Sequence, residues 1–187
     1  MKRRTLIIGG IGLAGMVAVG WLGWRESSRR APQANRAVRP MAAVEPDPQR
    51  FFAARLPDLL GGEQPMSQWQ GQPLVVNFWA TWCPPCVKEI PDLNRLAAKH
   101  TGANFLGVAI DTEDNVRKFV VNVPIDYHSV VAGHQGIELV RALGNTAGGL
   151  PFTVLFRPDG TIFEVIMGMV DPDSLDQQIG RLVASSA

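Results

Sequence analysis

The feature that most constrains this chain is a pair of cysteines, Cys83 and Cys86, separated by two prolines. A Cys-x-x-Cys sequence is either a redox dithiol or half of a zinc site, and a closed zinc site needs four ligands. No second pair of ligands completes such a site, because His100, His128 and His134 are isolated from one another. The cysteines are also the only two in the chain. The pair therefore favours redox chemistry, and no metal site is predicted.

The flanking residues predict where the pair lies in the fold. Residues 74–80 form an apolar run typical of a strand buried on both faces. Apolar residues then recur at helical spacing from Val87 to Ala97. Cys83 is therefore predicted at a helix N-terminus, where free amides and the helix dipole lower a thiol pKa and produce a nucleophile. Cys86, one turn later, is predicted to be buried and to react second.

The two intervening prolines limit how strongly a Cys83 thiolate can be stabilised. Pro84 and Pro85 suit the first helical turn because their φ is fixed, but neither has a backbone N–H. The amides of Cys86 and Val87 are then the remaining donors for the sulfur.

This stretch resembles the thioredoxin superfamily, in particular its membrane-anchored TlpA/ResA/DsbE-like branch. The resemblance rests on Trp-Cys-Pro-Pro-Cys at 82–86 after the strand Val-Val-Asn-Phe-Trp-Ala. Pro91 lies where thioredoxins kink their active-site helix, and Pro151 precedes the apolar strand 152–156 as the family's cis-proline does. From its residues alone, Pro151 could equally be a trans proline that opens a strand.

The resemblance also implies where substrate binds. Relatives present the backbone of the residue before the cis-proline to an extended substrate, which is Leu150 in this chain. The substrate-binding positions implied in this way are Trp82, Pro84, Leu150 and Pro151.

A proton acceptor for Cys86 is harder to assign. Cytosolic thioredoxin has a buried aspartate six residues before its first cysteine, whereas this chain has Asn77, which cannot act as a base. The resemblance suggests an acid just after the next strand, and Glu113 or Asp114 is the candidate. Both could equally be exposed acids at the start of a helix.

The N-terminal third differs from the rest in charge. Residues 1–55 contain ten basic and three acidic side chains, against eight and fourteen in residues 56–187. Residues 5–24 are uncharged and long enough to cross a bilayer, so residues 1–24 are predicted as a retained membrane anchor rather than a cleaved signal. Residues 25–55 are predicted as a flexible basic linker. No basic patch with interleaved aromatics occurs in the body, which argues against nucleic acid as a partner.

Residues 56–187 are predicted to form one α/β domain. The periodicity and turn signals give the order β-α-β-(α-β)-α-β-β-α. By resemblance this is a thioredoxin-like fold with a helix-strand insertion between Asp111 and Gly136. The same resemblance places the domain outside the cytoplasmic membrane, facing the periplasm or outer side.

The predicted reaction is thiol–disulfide exchange, in which Cys83 attacks a substrate disulfide and Cys86 resolves the mixed disulfide. The resemblance implies a reductase of disulfides in envelope proteins, possible substrates including apocytochrome c. It also implies a membrane electron donor of the DsbD/CcdA type and no cofactor.

Three alternatives to a reductase remain open from the sequence. A thiol oxidase would use the same residues in the opposite direction. A copper(I) metallochaperone would use the two thiolates as soft ligands. A peroxide-reducing enzyme is a weaker alternative, because the peroxidatic Pro-x-x-x-Thr-x-x-Cys arrangement is absent.

Overall fold

The structure is a computed structural model that describes residues 45–59 and 61–186. Its helices and strands are, in chain order, α1 (Pro48–Phe52), β1 (Arg55–Pro57), β2 (Glu63–Pro65), β3 (Leu74–Trp79), α2 (Pro84–Lys99), β4 (Asn104–Ala109), α3 (Glu113–Val120), β5 (His128–Val131), α4 (Ile137–Ala142), β6 (Phe152–Phe156), β7 (Ile162–Met167) and α5 (Pro172–Ala184). The order confirms the predicted thioredoxin-like α/β fold, in which α3 and β5 are the added pair.

A five-stranded sheet in the order β5-β4-β3-β6-β7 forms the centre of the domain. β3 pairs in parallel with β4 and antiparallel with β6. Every residue of β3 and β6 is buried, as expected for apolar strands covered on both faces. Because Phe78 pairs with Phe152, the end of β3 lies beside the start of β6. This register brings the loop that carries the cysteines next to Pro151.

The helix α1 corrects the predicted boundary between linker and domain. The predicted linker, residues 25–55, includes Phe51 and Phe52, yet both are buried in the core. The Phe51 ring stacks on Phe156 with 5.6 Å between centroids. The backbone N of Asp47 also donates to the carbonyl of Ala142 at 2.7 Å. The Pro- and Arg-rich composition of this stretch is typical of a linker. Two adjacent phenylalanines produce no helical periodicity, so the sequence pattern did not predict that they would be buried.

Strand β6 has the predicted bounds, residues 152–156. Strands β1 and β2 form an antiparallel hairpin before the central strand. Thr112 caps α3, with its side chain accepting from Asn115 N, and Asp171 caps α5 in the same way through Ser174 N. The predicted anchor, residues 1–24, lies outside the described residues. Within residues 45–59 and 61–186, no helix is long and apolar enough to cross a membrane.

Candidate active site

The two cysteines lie at the junction of β3 and α2. Cys83 is the N-cap of α2 and forms a disulfide with Cys86, with their Cα atoms 5.3 Å apart. Cys83 Sγ accepts a hydrogen bond from Cys86 N at 3.4 Å. The N–H of Val87 bonds to the Cys83 carbonyl instead, at 3.1 Å. Among the described residues, Cys86 therefore supplies the one backbone amide donated to Cys83 Sγ.

The cysteines differ little in exposure, but their surroundings differ. Cys86 is fully buried, as predicted, and Cys83 is 4% exposed. Trp82 and Pro84, on either side of Cys83, are exposed, and 59% of the Trp82 surface is accessible. Cys83 is therefore adjacent to exposed side chains, whereas Cys86 is enclosed by the core.

The peptide bond between Leu150 and Pro151 is cis, as the resemblance implied. Leu150 packs against the apolar cluster that contains both cysteines. The Pro151 carbonyl accepts from Gly168 N at 2.9 Å, so the loop after β7 is fixed beside the cis-proline. Met167 and Met169 flank this glycine and are 63% and 47% exposed. The surface next to the cis-proline is thus rich in flexible apolar side chains.

Glu89 is a buried acid that the sequence analysis did not select. It lies three residues after Cys86 on α2, a spacing that places the two side chains on the same helix face. Its Oε1 accepts from Asn77 Nδ2 at 2.8 Å, and its Oε2 accepts from Val170 N at 3.0 Å. Asn77 Nδ2 also donates to Thr153 Oγ1 at 3.0 Å. The carboxyl group therefore links α2, β3 and the loop before α5.

Burial raises the pKa of Glu89 above its ordinary value, although the hydrogen bonds from Val170 and Asn77 oppose the shift. Burial also raises the pKa of Tyr127, and the nearby charge of Glu89 adds to that effect. The sequence did contain a signal for Glu89. A charged residue three positions from Cys86 and four from Leu93 interrupts the apolar face of the helix, and both of those residues are buried.

Asp111 is a second buried carboxyl group close to the cysteine loop. It accepts from the backbone N of Thr81 at 3.3 Å and also from the Thr81 hydroxyl. Asn115 Nδ2 and Thr112 N donate to its other oxygen at 2.8 and 2.7 Å. Burial alone would raise the pKa of Asp111, but these hydrogen bonds outweigh it and hold the pKa below its ordinary value. Asp111 thus anchors the loop two residues before Cys83.

The predicted proton acceptors, Glu113 and Asp114, both form ion pairs within α3. Glu113 forms an ion pair with Arg117 at 2.5 Å, and Asp114 pairs with Lys118 at 2.7 Å. Each pair is exposed and lies within α3. The buried carboxyl groups close to the cysteine loop and to α2 are those of Asp111 and Glu89. In the described ranges, no group of three or more His, Cys, Asp or Glu side chains is placed to hold a metal ion.

A thioredoxin-like sheet, a Cys-x-x-Cys disulfide at a helix N-terminus and a neighbouring cis-proline together define a thiol-disulfide oxidoreductase of the thioredoxin superfamily. The family model for Redoxin matches residues 35–179, and the chain belongs to this family.

Named relatives agree with this class. The chain is 28% identical over 128 residues to Thiol-disulfide oxidoreductase ResA of Bacillus thuringiensis subsp. konkukian (strain 97-27), which covers 67% of this chain and 72% of the relative. Among solved structures, it is similar to MTB dsbF in its mixed oxidized and reduced forms, with TM-score 0.63 and 27% identity over 73% of this chain and 98% of that one. It is also similar to a thioredoxin-related protein from Neisseria meningitidis serogroup B, with TM-score 0.61 and 32% identity over 70% and 98%.

Proposed function

We propose that this thiol-disulfide oxidoreductase is a membrane-tethered reductase of disulfides in envelope proteins, with apocytochrome c as one candidate substrate. The proposed anchor is the apolar run 5–24, and the catalytic domain faces the periplasm or outer side of the cytoplasmic membrane. The resemblance to the ResA/DsbE-like branch and the length of the apolar run support the tether and its location.

The observation that carries the direction of the reaction is the small number of donors at Cys83 Sγ. A dithiol whose reduced form is strongly stabilised becomes an oxidant, because the thiolate state is then favoured over the disulfide. Here the two prolines offer no N–H, Val87 N is occupied by the Cys83 carbonyl, and one amide reaches the sulfur at 3.4 Å. A Cys83 thiolate in this setting would have few backbone donors, and weak stabilisation of the reduced form favours giving electrons away.

The proposed reaction has two exchanges. The Cys83 thiolate attacks one sulfur of the substrate disulfide, a bond forms between that sulfur and Cys83, and the other substrate sulfur leaves as a thiolate. Cys86 then loses its proton and attacks Cys83 Sγ, which forms the intramolecular disulfide and releases the second substrate thiolate. Two electrons pass from the protein dithiol to the substrate, whose thiolates take protons from water.

Glu89 is the proposed acceptor of the Cys86 proton. It is buried on the same helix face, one turn away, and its burial favours the protonated form that this transfer would create. A carboxyl group with a raised pKa is better matched to a thiol than an ordinary surface carboxylate is.

The proposed docking surface consists of Trp82, Met167 and Met169, which are exposed near Cys83 and the cis-proline. Methionine and tryptophan side chains bury large apolar areas and adapt to irregular partners. An extended, disulfide-containing segment could therefore bind there with its backbone along Leu150. The oxidised protein is then returned to the dithiol by a membrane electron donor, proposed to be of the DsbD/CcdA type.

The experiment that tests this function is reduction of insulin by the full chain with dithiothreitol as donor. We expect turnover by the wild type and none by Cys83→Ser, while Cys86→Ser should accumulate mixed disulfides with its substrates. Trapping envelope proteins in this way and measuring the reduction potential of the dithiol would establish the direction. A potential close to that of strong thiol oxidants would favour the oxidase and contradict the proposed reductase.

A further inference from the structure

The Asn77 side chain contacts the Glu89 carboxyl group and the Thr153 hydroxyl, and each of these can either accept or donate a hydrogen bond, the carboxyl group when it is protonated. Its Nδ2 donates both to Glu89 Oε1 at 2.8 Å and to Thr153 Oγ1 at 3.0 Å. Its Oδ1 is buried and has no hydrogen-bond partner among the described residues. A buried amide oxygen without a donor is uncommon and needs an explanation. Here it lies on the amide that directly contacts the proposed proton acceptor.

The two oxygens of Glu89 are held by donors of different kinds. Oε2 accepts from the backbone N–H of Val170, which the chain fixes in place. Oε1 accepts from a side-chain amide, which can rotate by half a turn about its last torsion and exchange Nδ2 with Oδ1. When Glu89 is protonated, the oxygen that carries the proton must face an acceptor. Of the two donors, only the Asn77 amide can be replaced by an acceptor without moving the backbone.

The neighbour Thr153 is compatible with both orientations of the amide. Its hydroxyl accepts when Asn77 presents Nδ2, and it can donate when Asn77 presents Oδ1. In the turned orientation, Asn77 Oδ1 would accept from Glu89 Oε1–H and from the Thr153 hydroxyl. The amide therefore has two hydrogen bonds in either state, and the currently unpartnered oxygen becomes the one that is used.

We propose that Asn77 is a positioning residue whose side-chain amide turns over when Glu89 takes up a proton on Oε1. The inference rests on the proposed role of Glu89 as acceptor, and it assigns the proton to one oxygen. During resolution, the Cys86 S–H bond breaks, its proton bonds to Glu89 Oε1, and the amide turns so that Oδ1 accepts that proton's hydrogen bond. The Val170 bond to Oε2 is preserved throughout, so the loop that carries Met169 stays in place.

Other groups around Glu89 do not provide the same switch. Tyr127 interacts with it electrostatically from the connection before β5, and burial keeps this phenol protonated at neutral pH. Cys86 lies one turn earlier on α2, and in the oxidised protein it is joined to Cys83 at the N-cap. Titration of the oxidised chain therefore follows Glu89 without interference from a free thiol.

The test is an NMR titration of the oxidised, isotope-labelled full chain, which follows the Glu89 side-chain carbon and both side-chain amide protons of Asn77. One amide proton faces Glu89 and the other faces Thr153. If the amide turns, both protons lose their partners and shift upfield together, with the same midpoint as Glu89. If the amide stays, only the proton that faces Glu89 shifts. That second pattern, or the absence of a Glu89 transition together with unmoved amide protons, would overturn the proposal.

Variants separate this inference from the function on which it rests. Glu89→Gln should abolish the paired shift of the Asn77 protons, whereas Asp111→Asn, at the other buried carboxyl, should leave it in place. Asn77→Leu serves to assign the resonances, and it should change the pH profile of disulfide resolution rather than scale the rate equally at every pH. The titration uses neither substrate nor free thiols. Failure to reduce insulin would contradict the proposed function alone, and unpaired amide shifts would contradict the amide switch alone.

Discussion

Two buried carboxyl groups, those of Glu89 and Asp111, lie close to the cysteine loop, and their pKa values are shifted in opposite directions. Glu89 is 2% exposed and Asp111 is 1% exposed. Glu89 accepts two hydrogen bonds, and burial raises its pKa. Asp111 accepts four, from Thr81, Thr112 and Asn115, and these lower its pKa in spite of burial. Similar exposure is therefore accompanied by a raised pKa at Glu89 and a lowered pKa at Asp111.

The difference shows that the donors to a buried acid, together with the depth of its burial, decide what that acid can do. A carboxylate with four donors is stabilised as an anion and works as a structural anchor. A carboxylate with two donors, one of them rotatable, remains able to accept a proton. We therefore assign the anchoring of the loop before Cys83 to Asp111 and proton acceptance to Glu89.

The largest expected effect is on stability, from Asp111→Ala. The variant removes the buried carboxylate that accepts four hydrogen bonds from Thr81, Thr112 and Asn115, which should reduce the free energy of unfolding by about 3 kcal/mol. Denaturant unfolding of the oxidised full chain measures it. Asp111→Asn keeps one acceptor oxygen and should lose less. An alanine variant as stable as the wild type would show that Asp111 is not an anchor.

The next effect is on activity, from Glu89→Gln. Glutamine is nearly isosteric but cannot accept a proton, so the rate of resolution should fall by about 100-fold, at the low end of what general acid–base catalysis contributes. Stopped-flow release of thiol from a preformed mixed disulfide measures this step. Asp111→Asn is the matched control and should slow it far less. If the rate of resolution fell equally in the two variants, Glu89 could not be distinguished from Asp111 as the proton acceptor.

The contributions of Glu89 and Asp111 to the stability of the wild type should depend on pH in opposite directions. The folded pKa of Glu89 lies above its ordinary value of 4.5, so its contribution to stability is complete below pH 4.5 and is lost as pH rises through the folded value. The folded pKa of Asp111 lies below 3.8, so its contribution is present above pH 3.8 and is lost as pH falls.

Thermal unfolding across the acidic range tests these signs. Relative to Glu89→Gln, the wild type should lose stability as pH rises above 4.5. Relative to Asp111→Asn, it should lose stability as pH falls below 3.8. If the stability of the wild type relative to each variant changed with pH in the same direction, the proposed difference between Glu89 and Asp111 would be contradicted.

The sequence was sufficient to predict the sheet and the dithiol because both depend on local patterns. Buried strands appear as apolar runs. The strand pattern before the Cys-x-x-Cys and the helix pattern after it locate the cysteines in the fold. The acids could not be assigned in the same way. Glu113 and Asp114 are predicted from the family resemblance, and both lie in exposed ion pairs. The surroundings of Glu89 depend on Val170, which contacts it from 81 residues away. Likewise, the packing of α1 depends on Phe156, which no local pattern near residue 51 reveals.

The smallest predicted effect concerns one of the four bonds to Asp111. Thr81→Val removes the hydroxyl donor but keeps the side-chain shape and the backbone donor, so stability should fall by about 1 kcal/mol. Because three donors remain, Asp111 should stay ionised and the kinetics of resolution should change little. Chemical denaturation and the mixed-disulfide assay measure the two quantities. If Thr81→Val slowed resolution as much as Glu89→Gln, the Asp111 network would have to take part in the chemistry, and its role as an anchor alone would fail.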